Sequence, residues 1–108
     1  MSKYYNRKVQ YKGFVFDSVK ERNYYMYLES LLQAGDITDL ELQVKFEIQP
    51  RFKAVNGHII RPITYIADFV YKDKDGQTVI VDVKGYKTEV YKLKKKLMLY
   101  HGYNIIEV

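Results

Sequence analysis

The chain has 108 residues and a net charge of +5, with 12 tyrosines and no cysteine. This length fits one domain, and the lack of cysteine excludes disulfides and thiolate zinc sites. No apolar run approaches the roughly 20 residues that cross a bilayer, and the first residues lack the apolar core of a signal peptide. We therefore expect a soluble, cytoplasmic, single-domain protein whose basic, tyrosine-rich surface suits nucleic acid.

The first predicted elements are a short β-hairpin over residues 8–16 and a helix. Ser18 and Glu21 fit a capping box at the start of that helix, and Gly35 fits the residue that follows its end. Glu21 lies seven residues before Leu28, so both should point to the apolar side of the helix. A carboxylate on that side is costly unless it is paired, caps the helix or binds a metal.

The remaining chain predicts four strands, one loop and a second helix. The strands cover residues 41–49, 63–72, 78–84 and 103–108. The first of them has one apolar face, formed by Leu42, Val44, Phe46 and Ile48. The segment 51–61 lies between two prolines and predicts a loop or a hairpin tip. The helix runs from an N-cap at Thr88 to about residue 100, with an apolar stripe formed by Val90, Leu93 and Leu97. The element order predicts a mixed α/β domain around one central sheet.

Two aspartates in otherwise apolar strands are expected to face each other. A three-residue loop that ends with Gly76 in the left-handed conformation places Asp68 opposite Asp82. Like charges in that position are destabilising, and a hard divalent cation such as Mg²⁺ relieves them. Lys84 shares the face of Asp82, where it can help an attacking water or balance charge in the transition state. The alternative is that neighbouring lysines simply neutralise two hairpin acids.

These residues carry a first resemblance. Glu21, then Asp68, then Asp82-Val83-Lys84 resemble the E…(P)D…(D/E)-x-K signature of the PD-(D/E)XK nuclease superfamily, although alanine precedes Asp68 where the signature usually has proline. The resemblance implies a single nuclease domain over residues 1–108, with an αβββαβ restriction-endonuclease-like core, a mixed central sheet and an N-terminal hairpin. It implies that Asp68, Asp82 and the Val83 carbonyl bind Mg²⁺ or Mn²⁺. Glu21 would complete that site directly or through water, and Lys84 would be the catalytic lysine.

Five motifs carry a closer resemblance. They are Phe16-Asp17-Ser18 with Glu21, Ala34-Gly35-Asp36-Ile37 with Asp39-Leu40 and Gln43, Tyr65-Ile66-Ala67-Asp68-Phe69, Asp82-Val83-Lys84-Gly85, and Lys94-Lys95-Lys96-Leu97. The sequence is similar in them to small phage-encoded proteins that look like endonucleases related to Holliday-junction resolvases. This resemblance implies a structure-specific DNA endonuclease that acts in the cytoplasm of a bacterial host.

Nine further residues are candidates for contact with nucleic acid, and the eight that are lysine or arginine can neutralise phosphates. They are Gln43 and Lys45 on a strand, Arg51 and Arg61 on the loop, and Lys87, Lys92, Lys94, Lys95 and Lys96 on the second helix. A solvated surface is the alternative for each. The expected partner is branched or duplex DNA, with neither a membrane nor a small-molecule cofactor. Since a branched-DNA nuclease must nick two strands, we expect a homodimer.

Three functions remain open from the sequence. The first is a metal-dependent DNA endonuclease that hydrolyses a phosphodiester bond with a metal-activated water. The second is a non-catalytic nucleic-acid-binding phage accessory protein that keeps the nuclease fold. The third is an RNase.

Overall fold

The computed structural model describes residues 7–108. Its elements in chain order are β1 (Val9–Tyr11), β2 (Phe14–Phe16), α1 (Val19–Gln33), β3 (Thr38–Gln49), β4 (Phe52–Lys53), β5 (Ile59–Ile60), β6 (Ile63–Lys72), β7 (Thr78–Asp82), α2 (Glu89–Tyr100) and β8 (Ile105–Glu107). The predicted order is confirmed, and the segment between the two prolines forms the β4–β5 hairpin. No helix in the described range is long and apolar enough to span a bilayer.

Four strands form a mixed central sheet in the order β3-β6-β7-β8. The first three are antiparallel, whereas β7 and β8 are parallel. Parallel neighbours need a crossover connection, and α2 supplies it. Strands β1 and β2 form one separate hairpin, and β4 and β5 form another. The predicted mixed α/β class is therefore confirmed.

A helix packs on each face of this sheet. Ile80 and Val81 are adjacent on β7 and therefore point to opposite faces. Ile80 belongs to a buried cluster with Met98 of α2, and Val81 belongs to a second cluster with Leu28 of α1. Each fully buried side chain of this size stabilises the fold by about 1.5–3 kcal/mol. The hydrophobic core is thus split into two layers, and the sheet between them positions the acidic residues.

Local contacts set both ends of α1. The Ser18 hydroxyl oxygen accepts a hydrogen bond from the Glu21 N–H at 3.1 Å, as predicted for the helix start. Gly35 follows the last turn with φ +79°, and its N–H donates to the Leu32 carbonyl at 3.1 Å. Because glycine adopts this backbone conformation without steric cost, the helix ends there. The helix start, in turn, determines where Glu21 lies.

The register of the β6–β7 hairpin is the one predicted from its loop. Phe69 pairs with Val81, and Lys72 pairs with Thr78. Gly76 closes the loop with φ +77°, in the left-handed region that a three-residue loop of this kind requires. The loop therefore brings Asp68 and Asp82 to the same end of the hairpin.

The predicted apolar face of β3 is wrong at one end. Leu42 packs in the cluster under α1, whereas Phe46 and Ile48 pack in the cluster under α2. Between them Gln43 has φ +53°, a left-handed conformation that is rare for a residue with a side chain. This residue interrupts the two-residue alternation, so a single row of apolar positions serves both faces of the sheet.

In β6, which pairs with β3, the buried side chains also switch from one face of the sheet to the other at this point. On β6, Ala67 packs with the α2 cluster and Phe69 with the α1 cluster, although they are two residues apart. The pairing of the two strands is the same before and after this step, so the register does not slip. Gln43 and Asp68 lie across from each other at this point, and the strands rotate there together.

We expect Gln43→Gly to be more stable than Gln43→Ala by about 1 kcal/mol, because alanine would keep the strain of the positive φ. The measurement is the free energy of unfolding from urea denaturation. The same pair at Lys45, which has an ordinary strand conformation, should show the reverse order, with glycine less stable by about 0.5–1 kcal/mol. If the glycine variant were more stable than the alanine variant at both positions, or less stable at both, the role assigned to Gln43 would be contradicted.

Candidate active site

Asp68 and Asp82 line one open cleft of about 420 Å³ at the end of the β6–β7 hairpin. The regular pairing of the two strands ends one residue before them. Instead of a cross-strand backbone pair, Asp68 Oδ2 accepts a hydrogen bond from the Val83 N–H at 2.8 Å. Asp82 is only 3% exposed, whereas Asp68 is partly open to the cleft. Two carboxylates thus share one wall of the cleft.

Both oxygens of Asp82 have partners. The Tyr65 hydroxyl donates a hydrogen bond to Oδ2, and Lys84 Nζ lies 3.1 Å from Oδ1. Burial and Asp82 raise the pKa of Tyr65, so this hydroxyl remains a donor. Lys84 Nζ also lies 3.9 Å from the ring centre of Tyr91, within the range of a cation–π interaction. Lys84 is therefore held between a carboxylate and an aromatic ring, beside the cleft.

Glu21 reaches the same cluster from α1 and is 4% exposed. Its Oε1 accepts the Asp17 N–H at 2.9 Å, and its Oε2 accepts the side-chain amide of Gln43 at 3.2 Å. The same amide nitrogen lies 3.5 Å from Asp68 Oδ1. The carboxylate of Glu21 therefore holds the residue before the N-cap, and not Ser18 as a capping box requires, while it also faces Gln43. Gln43 bridges two carboxylates, and its predicted contact with nucleic acid stays a prediction.

Burial raises the pKa of Asp68 to about 8. The Val83 N–H opposes this shift, while the negative charges of Asp82 and Glu21 add to it. Near neutral pH the folded protein therefore holds a proton on Asp68 when no cation is present. A divalent cation favours the ionised carboxylate, so its binding should displace that proton.

We expect Mn²⁺ binding to release about one proton at pH 7 and to weaken as the pH falls below 8. The raised pKa also means that Asp68 favours the metal-free fold most at low pH. This contribution of Asp68 to stability is complete below the pKa of the same side chain in the unfolded chain, near 4. It is lost as the pH rises through the folded value of about 8. Calorimetry at pH 6–9 in two buffers of different ionisation enthalpy measures the proton release. Asp68→Asn should abolish it, and an affinity that does not change with pH would contradict this expectation.

The donor set suits a hard divalent cation. Its carboxylates supply oxygen atoms, which Mg²⁺ and Mn²⁺ prefer. Across residues 7–108, however, no three His, Cys, Asp or Glu side chains are already arranged to hold an ion. Instead, Tyr65 and Gln43 donate hydrogen bonds to carboxylate oxygens that an ion would otherwise bind. A bound cation would have to replace some of these hydrogen bonds.

A family model described as "Protein of unknown function (DUF1064)" matches residues 1–107. The chain belongs to the DUF1064 family. Neither the curated proteins nor the solved structures include a match to it. Glu21, Asp68 and Asp82, which we call the acidic cluster, all lie within the part of the chain that the DUF1064 model covers.

In this DUF1064 chain, Lys87 and the four lysines of α2 do not form one surface. Lys94 lines the cleft. The others surround a depression next to Glu107, and they are Lys87, Lys92, Lys95 and Lys96. The Nζ atoms of Lys87 and Lys95 lie 2.9 and 3.1 Å from the Glu107 oxygens. A hydrogen bond from Tyr91 and these lysines lower the pKa of Glu107 to about 2. Lys94 is thus the one lysine of the predicted run that borders the cleft.

The other basic candidates lie on β3 and beside the β4–β5 hairpin. Lys45 is exposed on β3, and Arg51 and Arg61 are exposed at the base of the β4–β5 hairpin. Their contact with nucleic acid stays a prediction.

Two further residues contact the cluster without having been selected from the sequence. Lys20 Nζ donates a hydrogen bond to the backbone carbonyl of Lys84 at 3.0 Å, which ties the start of α1 to the end of β7. Tyr65 donates to Asp82 from a neighbouring strand. The tyrosine in the motif that contains Asp68 was a usable signal for the second contact. No local pattern indicates the first, because 64 residues separate its partners.

Tyr91 was missed because the predicted stripe of α2 is wrong. Tyr91 and Met98 are the buried residues of this helix, whereas Val90 and Leu93 are 61% and 54% exposed. Leu97 packs at the edge of the buried cluster. Tyr91 and Met98 are seven residues apart and so share a helix face, which the periodicity allows as readily as the chosen stripe. The helix face that the structure buries therefore places the Tyr91 ring against Lys84.

Proposed function

We propose that this protein is a metal-dependent endonuclease that hydrolyses phosphodiester bonds in DNA. The observation that carries the proposal is the convergence of Asp68 and Asp82 beside Lys84 at an open cleft, with the buried Glu21 of α1 linked to Asp68 through the Gln43 amide. Carboxylates brought this close repel one another, and burial adds to the cost. A cation that the fold is built to bind offsets this cost.

The proposed fold is the PD-(D/E)XK core. Its support is the order α1-β3-β6-β7-α2-β8, which repeats the αβββαβ pattern of that superfamily. Further support comes from the place of the acidic residues. Asp68 lies where the β6–β7 pairing ends, Asp82 is the last residue of β7, and Lys84 follows two residues later.

Each side chain takes a role that its surroundings allow. Asp68, Asp82 and the Val83 carbonyl would hold Mg²⁺ or Mn²⁺, and Glu21 would complete the site directly or through water. The cation, when bound, supplies Lewis-acid activation of water and of the phosphate. Lys84 then keeps a positive charge beside the reacting phosphate, where it stabilises the negative charge of the transition state or orients the attacking water.

The proposed substrate is branched or duplex DNA. Lys94 borders the cleft and can neutralise a phosphate there, and Lys45 is exposed on β3. A branched substrate needs two nicks, so we infer a homodimer, which sedimentation would measure. A phage origin and action in the bacterial cytoplasm complete the proposal.

The test is a cleavage assay on a four-way junction, a flap and a linear duplex with Mg²⁺, Mn²⁺ or EDTA. Asp68→Asn protein purified in parallel controls for a contaminating nuclease. We expect cleavage only with a cation and only by the unaltered protein, with branched DNA preferred. Cleavage in EDTA would reject the metal role. DNA binding without cleavage would instead favour a non-catalytic accessory protein, and cleavage of RNA alone would favour an RNase.

A further inference from the structure

A two-stranded hairpin extends beyond the central sheet between β3 and β6. We call residues 51–61, which contain β4 and β5, the arm. Its charged groups are all basic, and no acidic residue occurs between Gln49 and Ala67. Phe52 and Ile59 on the arm are about half exposed, at 46% and 50%. The arm is therefore a basic and partly apolar projection.

The turn at the tip of the arm has the same geometry as the β6–β7 turn. In the arm, the Gly57 N–H donates to the Ala54 carbonyl at 2.9 Å. In the β6–β7 turn, the Gly76 N–H donates to the Asp73 carbonyl at 3.0 Å. The two glycines have φ values of +88° and +77°. The two turns can therefore be compared position by position.

The first residue of the loop is charged in the β6–β7 turn and apolar in the arm. Lys74 occupies this position in the β6–β7 turn, where it is 71% exposed and lies 3.0 Å from Asp36. Val55 occupies it in the arm and is fully exposed, at 110% of the reference area. The β6–β7 turn forms with a charged residue there, so the backbone does not require valine. An apolar side chain that buries nothing contributes nothing to the hydrophobic stability of the fold.

One face of the arm carries three cations. Lys53 pairs with Ile59 across the two strands. Because side chains alternate along a strand, Arg51 and Arg61 should lie on the same face as Lys53. Within the described part of the chain, none of these three forms an ion pair with an acidic residue. Their charge is thus free to attract a polyanion.

We propose that the arm contacts DNA, with Arg51, Lys53 and Arg61 on phosphates and the Val55 side chain inserted between neighbouring base pairs. The identity of the polymer rests on the proposed function. Basic residues supply binding that is independent of sequence, and an inserted apolar side chain unstacks one base step and bends the duplex. The arm is thereby a device for recognising DNA that is already bent or branched.

The position of the arm agrees with this role. Thr64 and Ile66 of β6 line the cleft, and β6 leads directly back to the arm. From His58, which pairs with Ala54 at the tip of the arm, to Asp68 the chain covers ten residues, at most about 33 Å when extended, which corresponds to about 10 base pairs of DNA. One bound DNA molecule can therefore reach both the arm and the cleft.

A second copy of this chain fits the arm less well. A two-fold contact places the same surface of each copy against the other. It would bring Arg51, Lys53 and Arg61 of both copies together without a compensating acid on the arm. DNA supplies the negative charge that a second copy lacks.

The test uses a four-way junction in EDTA, which allows binding without metal-dependent cleavage. 2-Aminopurine is placed at the branch point in one substrate and about 10 base pairs from it in a second, following the reach of the arm tip. Binding should raise the 2-aminopurine emission several-fold at one of these positions. Val55→Lys adds a cation, so it should bind as tightly or more tightly yet lose the increase. Lys74→Val, the reciprocal change in the matching turn, should leave both affinity and emission unchanged.

Salt dependence tests the three cations. When Arg51, Lys53 and Arg61 are replaced by alanine, the slope of log affinity against log salt should fall by about 2.7. The control replaces three lysines that already have acidic partners, namely Lys8, Lys12 and Lys74. An unchanged slope for the arm variant would overturn the phosphate contacts.

The outcomes separate the arm from the nuclease. If Val55→Lys protein cleaved DNA normally and still raised the 2-aminopurine emission, the proposed insertion of Val55 would be rejected and the nuclease proposal would stand. An emission increase that depends on Val55 in a protein that cleaves nothing would keep the arm and reject the nuclease. If Val55→Lys dissociated a dimer in sedimentation without altering DNA emission, the arm would belong to a contact between copies and the proposal would fail.

Discussion

Asp82→Asn protein should lose Mn²⁺ binding and about 10³-fold in the rate of DNA cleavage, since the cation contributes several kcal/mol to the transition state. Asp82 is 3% exposed and has the Tyr65 hydroxyl and Lys84 Nζ on its two oxygens. Asparagine keeps the shape of the side chain but removes its charge. Calorimetry and a single-turnover cleavage assay measure the two losses.

The stability of the same variant distinguishes lost chemistry from lost folding. Because the change breaks the buried ion pair with Lys84, the metal-free variant should have a lower free energy of unfolding, yet urea denaturation should show it still folded under the assay conditions. Asp75→Asn, on the exposed turn of the same hairpin, should change neither activity nor Mn²⁺ affinity. Full cleavage by Asp82→Asn would reject the proposed site.

Lys84→Met should lower the cleavage rate by about 10²–10³-fold, because it removes a positive charge placed at the reacting phosphate. Its Mn²⁺ affinity should be retained or improved. The ammonium lies 3.1 Å from Asp82 Oδ1 and therefore competes with a cation for that oxygen. Methionine keeps most of the length of lysine and can still contact the Tyr91 ring.

The comparison of the two variants assigns their roles. Loss of cleavage with retained metal binding makes Lys84 a catalytic residue, whereas loss of both would make it a structural partner of Asp82. Lys72→Met, on the exposed end of β6, is the matched control and should behave like the unaltered protein. Retained cleavage in Lys84→Met would remove the lysine from the proposed mechanism.

Local rules predicted most of the acidic cluster. The position of Gly76 determines the loop, the loop determines the register of β6 and β7, and the register brings Asp68 to Asp82. Likewise, the spacing of Glu21 from Ser18 and Leu28 determines which side of α1 it occupies. Each of these inferences spans fewer than 20 residues, over which turn chemistry and helical periodicity decide the geometry.

Contacts between distant segments decided the rest. The amide of Gln43 meets Glu21 because two strands rotate together at a residue with positive φ, which breaks the alternation on which strand prediction depends. Lys87 and the lysines of α2 divide between the cleft and Glu107 because a separate strand supplies that acid. By itself the sequence determined that Asp68 meets Asp82 and that Glu21 lies on the buried side of α1, since local turn and helix geometry decide this. Only the tertiary structure decided which polar groups hold them, because those partners come from elements whose packing no local pattern encodes.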